Sequence, residues 1–162
     1  MSEVKNKKKK SSIIQISIGV LAVILAILII IMMGIVSDIQ GTARIVNYTG
    51  LVRGETQRLI KLELSTQQEN EMIHEIRTFI DGLRNGNDEL NLVRLDDVDF
   101  QNKMQELDDK FSDLYKKIHL VRFKGAKNTD IIPESEEFFV ICDEATGLAE
   151  KYSQKKATSL SL

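Results

Sequence analysis

Between Lys10 and Asp38 the chain carries no charge, and residues 13–36 are nearly unbroken hydrocarbon, with only Gln15 and Ser17 strongly polar. As a helix these 24 residues span about 36 Å, enough to cross a hydrocarbon core of ~30 Å with some tilt. Lys5, Lys7, Lys8, Lys9 and Lys10 abut one end of the segment. The bias of basic residues toward the cytoplasmic side then puts residues 1–12 in the cytoplasm and the chain after Ser37 outside. A cleaved signal peptide is the rival reading, but its apolar stretch runs only about 7–15 residues before small cleavage-site residues. Here the segment is longer and ends Met32-Met33-Gly34-Ile35-Val36, so an uncleaved anchor in the cell membrane is expected.

Roughly 125 residues remain to fold beyond the anchor, enough for one domain. They are poor in aromatics, with six Phe, three Tyr and no Trp in the whole chain, and Pro133 is the single proline. Leu, Ile, Glu, Lys, Gln and Asp are abundant instead, a mixture that favours helices over sheet. The net charge of −2 hides an asymmetry: residues 1–12 carry +4 and the remaining 150 carry −6. Such a domain offers no basic stripe, so nucleic acid is not expected as a partner.

Four helices are expected outside the membrane, over about residues 37–66, 69–84, 97–123 and 133–159. The first continues straight from the anchor. The second stops at Asn85-Gly86-Asn87. A turn-like passage, Asn91 to Leu95, leads to Asp96-Asp97, which can cap the third. In that helix Phe100, Met104, Leu107, Phe111, Leu114, Ile118 and Val121 recur at alternating steps of 4 and 3, a heptad seam. Pro133 suits the first position of the fourth helix, and Glu134, Glu136 and Glu137 suit its positive dipole end. The expected fold is all-α: an N-terminal transmembrane helix followed by an extracytoplasmic antiparallel four-helix bundle.

The first helix of the domain carries two stripes. One is Val36, Ile39, Ala43, Val46, Gly50, Arg53, Gln57, Ile60 and Leu64, and the other is Ile45, Tyr48, Val52, Leu59 and Leu62. They lie roughly 130° apart around the helix. One stripe serves the chain's own core, and the second asks for another partner, most simply the same helix of a second copy. Gly50, Arg53 and Gln57 are read as three successive inward positions of the first stripe. A guanidinium there cannot be deprotonated and must find an anion, an acid or water. Two Arg53 side chains facing across a two-fold axis would hold a small anion. The plainer alternative pairs Arg53 with Glu55, Glu63 or an acid on another helix, or lets it reach solvent with its stem on the stripe, and Arg44 and Arg58 read as a solvated face.

Residues 43–63, from Ala43-Arg44-Ile45-Val46-Asn47-Tyr48-Thr49-Gly50 through Leu51-Val52-Arg53-Gly54-Glu55-Thr56-Gln57-Arg58, resemble the first periplasmic helix of a bacterial receptor family. Its members include nitrate/nitrite sensor histidine kinases and type IV pilus methyl-accepting receptors. The chain looks closest to the input domains of hybrid sensor kinases and diguanylate cyclases. Asn91-Leu92-Val93-Arg94-Leu95-Asp96-Asp97 and Glu150-Lys151-Tyr152-Ser153 extend the likeness over most of residues 37–162. The resemblance implies an anion site at a dimer interface, formed by a Gly and an Arg three residues later. Gly50 and Arg53 match those positions, and Arg58 matches a second arginine. Leu51, Val52, Gly54 and Glu55 depart from the nitrate-sensor segment, and Glu55 brings a negative charge close. Family members carry a second membrane helix and output modules after the bundle; with Leu162 the last residue, a fragment or a receptor stub is expected.

The function expected is therefore sensory input to a transmembrane signalling receptor of the two-component type, with a lipid bilayer, a second copy and a small anion as partners. Ligand binding would shift the first helix against the fourth, and the shift would pass through the membrane. The alternative is a membrane-anchored helical adaptor that binds another protein. No phosphate-binding glycine loop, nucleophile beside a base or phospho-accepting histidine setting is recognisable, so catalysis and a cofactor are not expected. His74 and His119 stand without partners at ligand spacing, so no metal is expected. Cys142 falls on the helical run Phe138, Cys142, Ala145, Ala149, Tyr152 and reads as a small buried apolar residue. Asn47-Tyr48-Thr49 matches a glycosylation triplet, weakened by its position within a helix.

Overall fold

The computed structural model describes residues 2–159, without the side chains of residues 2–13, 38, 157 and 159. The basic tail expected over residues 1–12 lies, in its side chains, outside the described residues. What is described is all-α: α1 (Ser2–Leu64), α2 (Asn70–Asn85), α3 (Val98–Lys124) and α4 (Ile132–Ser159), with a 3-10 turn at Ala126–Asn128. α1 begins at Ser2, so one helix takes in the stretches expected as the tail, the anchor and the first helix of the domain. The chain divides into two compact units, residues 1–38 and 39–162.

The first unit holds the one described helical stretch long and apolar enough to cross a membrane. Its aliphatic side chains stand open all round, from Ile14 at 59% exposure to Met33 at 69%. Apolar on every face and covered by no protein, such a helix suits lipid.

The second unit builds its core on α3. All seven seam residues predicted from the sequence, Phe100 through Val121, are buried. α4 presents Phe138, Cys142, Ala145 and Ala149, all fully buried. Three of these are small, which leaves room for α3 and α4 to pack closely against each other. Along the flank of that pair, Lys103, Lys110 and Lys117 stand one heptad apart on α3. They meet Glu144 at 2.7 Å, Glu137 at 2.6 Å and Glu134 at 2.6 Å on α4. The falling acid numbers against rising lysine numbers fix α3 and α4 as antiparallel. Arg84 with Asp108 and Asn70 with Arg122 do the same for α2 and α3. Tyr48 of α1 packs its ring edge-on against Phe79 of α2 at 5.1 Å.

The helix ends are chemically specified. Gly86 and Gly125 close α2 and α3 with φ of 85° and 83°, a region that favours glycine. Asp97 caps α3 by accepting from the Phe100 amide at 3.0 Å. Between them the chain turns back at an antiparallel bridge, Asn87 to Leu92, and lays Leu92 and Leu95 across the end of the core.

Candidate functional site

Within the domain, α1 faces the core through Thr42, Ile45, Thr49, Val52, Thr56, Leu59 and Glu63, each at most 5% exposed. The steps alternate 3 and 4, a heptad register whose apolar members belong to the second stripe read from the sequence. The reading of Gly50, Arg53 and Gln57 as inward positions is corrected by this register: Gly50 and Gln57 are exposed and Arg53 is half-buried. The physical reason is that threonine tolerates the core once its hydroxyl finds a partner nearby. Thr49 donates to the Val46 carbonyl at 2.8 Å, and Thr146 of α4 meets the Thr49 hydroxyl at 2.9 Å. Their seven-residue spacing, interleaved with Ile45, Val52 and Leu59, was the available signal. Of the first stripe, Ile60 is buried, Val46 and Leu64 are half-buried, and Val36, Ile39 and Ala43 are open.

Arg53 finds an acid on another helix. Its Nε lies 3.0 Å from Asp143 Oδ1 on α4, with side chains 41% and 62% exposed. The buried Nε–H is not aimed at the carboxylate, so no hydrogen bond forms. An ion pair so exposed contributes about 0–1 kcal/mol. Gly50 stands one turn before Arg53, and a Cβ added there would meet nothing within 4 Å. Gln57 follows one turn later, exposed. The three expected site residues thus share a solvent-facing strip, with Asp143 beside them. Next to Arg53, Thr56 is wholly buried and its hydroxyl has no partner.

A different ion pair closes the far end of α1. Glu63, 1% exposed in its side chain, takes Arg122 of α3 in a two-pronged contact, with Nε donating at 2.8 Å and Nη2 donating to the other oxygen. The Glu69 amide donates to the same carboxylate at 3.2 Å, and Arg122 reaches Asn70 at 2.7 Å. Hydrogen bonding to Glu63 holds the Arg122 guanidinium above its already high ordinary value. This constellation is satisfied internally and reads as a clamp on α1, α2 and α3.

The remaining residues singled out from the sequence fall as follows. Arg44 and Arg58 are exposed, Arg58 lying 3.6 Å from Glu55. Cys142 is fully buried, and desolvation pushes its thiol up to about 12. Of the glycosylation triplet, Asn47 is exposed, Tyr48 half-buried and Thr49 buried. Among the described residues no three His, Cys, Asp or Glu gather as metal ligands.

No family model, curated protein or solved structure matches the chain.

Proposed function

We propose that this chain is the extracytoplasmic sensory input region of a bacterial transmembrane receptor, in which a small anion binds between two copies of an antiparallel four-helix bundle. The observation that carries this reading is the strip of α1 left open by the chain's own core: Ile39, Ala43, Gly50 and Gln57, with Arg53 among them. Gly41, Gly50 and Gly54 all lie in open space. Glycine inside a helix costs ~1 kcal/mol relative to alanine, and no intrachain neighbour among the described residues explains these three. A second α1 brought close over Gly50 accounts for Gly50 and Gly54, which lie about 40° apart around the helix, but not for Gly41, about 180° from Gly50. The sequence resemblance matches Gly50 and Arg53 to an anion site at such an interface.

Two Arg53 guanidiniums then converge, and the ligand offsets their repulsion. Within each chain Asp143 is the internal competitor. An anion that takes the Arg53 donors releases Asp143, the tie between α1 and α4 opens at that level, and α1 moves against α4. The lysine run sets the orientation, with residues 1–12 cytoplasmic and residues 37–162 outside. The role assigned is binding rather than catalysis.

Thermal melts of the full chain in lipid nanodiscs, against nitrate, nitrite, sulfate and small carboxylates, test the reading. The bound anion stabilises by about 2.7 kcal/mol at a hundredfold excess over Kd, and Arg53→Ala abolishes that gain. A melting point indifferent to every anion would sink the proposal.

One observation favours a second reading. Phe123 at the end of α3 is 87% exposed, with Leu120 and Ile132 also open, an apolar end that a protein partner would cover. A membrane-anchored adaptor of this kind would be indifferent to Arg53→Ala.

A further inference from the structure

Seven arginines occur in the chain, and six find an oxygen partner: Arg44, Arg53, Arg58, Arg84, Arg94 and Arg122. Arg77 of α2 is the exception among the described residues. It is half-buried, yet no carboxylate or carbonyl takes any of its five N–H groups. Its guanidinium lies instead over two rings of α3, with Cζ 4.8 Å from the Tyr115 centroid and 5.4 Å from that of Phe111. Aromatic contact engages the face of the cation and leaves the edge donors unspent.

The surrounding groups are those of an anion site. Tyr115 stacks edge-on with His119 at 4.5 Å, and its hydroxyl makes no hydrogen bond among the described residues. Arg84 with Asp108, Arg77 with Tyr115 and Asn70 with Arg122 fix the α2–α3 register, which sets His74 level with His119 across the same face. Of the nearby carboxylates, Asp108 is paired with Arg84 and Glu63 with Arg122, while Asp81, one turn after Arg77, accepts from the neutral Asn85 amide and keeps its charge.

We infer that Arg77, with Tyr115 and His119, forms a binding site on the α2–α3 face for a small oxyanion, a carboxylate or a phosphate. The rings hold the guanidinium in place, its edge gives two parallel N–H bonds to two oxygens, and the Tyr115 hydroxyl and His119 add donors. The site stands apart from Arg53 and does not depend on the dimer reading.

The chain has two histidines, so their ring proton signals in NMR are a clean readout. Inorganic phosphate and acetate are titrated separately into the full chain in nanodiscs, at fixed pH and ionic strength. The His119 signal moves saturably with at least one of them. Arg77→Gln weakens that binding about tenfold or more, the loss expected for charged hydrogen bonds, while Arg53→Ala leaves it unchanged. Arg77→Lys keeps the charge but loses the flat guanidinium face and its fork, and it also binds more weakly at native helicity. A native His119 signal that never saturates, or a binding curve unchanged by Arg77→Lys, overturns the site.

Discussion

Arg53 Nε and Asp143 Oδ1 lie 3.0 Å apart across α1 and α4, yet the N–H points past the carboxylate. The pair is held by charge without a directed bond, which makes it the weakest arginine tie that α1 forms to another helix. If the anion competes with Asp143, Asp143→Asn removes the competitor. Anion affinity then rises several-fold, the equivalent of the ~1 kcal/mol such exposed pairs reach, with the fold unharmed. Calorimetric titration of the variant checks this. Unchanged affinity would detach Asp143 from the mechanism.

Glu63 and Arg122 give the opposite expectation. Their side chains are 1% and 13% exposed, and the carboxylate also accepts from the Glu69 amide. Glu63→Ala leaves a guanidinium unpaired in a nearly dry site and costs about 3–5 kcal/mol. Denaturant unfolding should show that loss with no dependence on anions.

Thr49 and Thr56 occupy equivalent heptad positions with unequal bonding. Thr49 donates to Val46 and meets Thr146, whereas the fully buried Thr56 hydroxyl has no partner. Replacing an orphaned hydroxyl by a methyl group removes a desolvation penalty of about 1–3 kcal/mol. Thr56→Val is therefore expected to stabilise by ~1 kcal/mol, while Thr49→Val is neutral or destabilising by a similar amount. Thermal melts of the two variants should rank them in that order, and the reverse ranking would refute the assignment.

Alkaline pH should unfold the domain in part through Cys142. Burial raises the thiol from 9.0 to about 12, so the folded state favours the neutral form. Below pH 9 both states hold the proton and the contribution of burial is complete. Above it the unfolded thiol ionises first, and stability falls by up to about 1.4 kcal/mol per pH unit until the folded thiol titrates. Lys103, raised by hydrogen bonds to Glu106 and then Glu144, acts with the same sign: its contribution is full below 10.5 and lost as pH rises through the folded value. Cys142→Ala should flatten the decline between pH 9 and 12 but not remove it, which stopped-denaturation curves across that range would test.

How much of this was legible depends on how a helix fills its seam. α3 could be read outright because all seven of its core positions are large and apolar. α1 could be read only in part: Ile45, Val52 and Leu59 showed as a stripe, but Thr42, Thr49 and Thr56 take the alternate core positions and Glu63 ends the row. A search for hydrocarbon at 3-4 spacing slides past them onto Val46, Gly50 and Ile60. Thr49 is comfortable in the core only because Val46 and Thr146 accept or share its hydroxyl, and that bond closes across 97 residues of chain. The Asn85-Gly86 stop and the Asp97 cap were readable, being local chemistry. The Arg53 partner was open among several acids, since Asp143 stands beside it only through the α1–α4 pairing. Arg77 gave no sequence signal at all: its isolation from acids is a property of the α2–α3 register.

Gly50 and Gly82 are both helical, and alanine should have opposite effects at the two. A Cβ on Gly82 would stand 3.1 Å from Asn87 Cβ and 3.1 Å from Leu92 Cδ1, against the segment that covers the end of the core. The propensity gain of up to ~1 kcal/mol is then outweighed by overpacking of about 1–3 kcal/mol, and Gly82→Ala destabilises. A Cβ on Gly50 touches nothing within 4 Å, so Gly50→Ala raises the stability of the single chain by up to ~1 kcal/mol. If α1 meets a second α1 there, the same methyl holds the two backbones apart. Sedimentation in detergent should then show weaker self-association, and the Arg53-dependent anion shift in melting should shrink even as the ligand-free midpoint rises. A Gly50→Ala chain that is more stable, equally dimeric and equally responsive would mean that the open strip of α1 is not the interface.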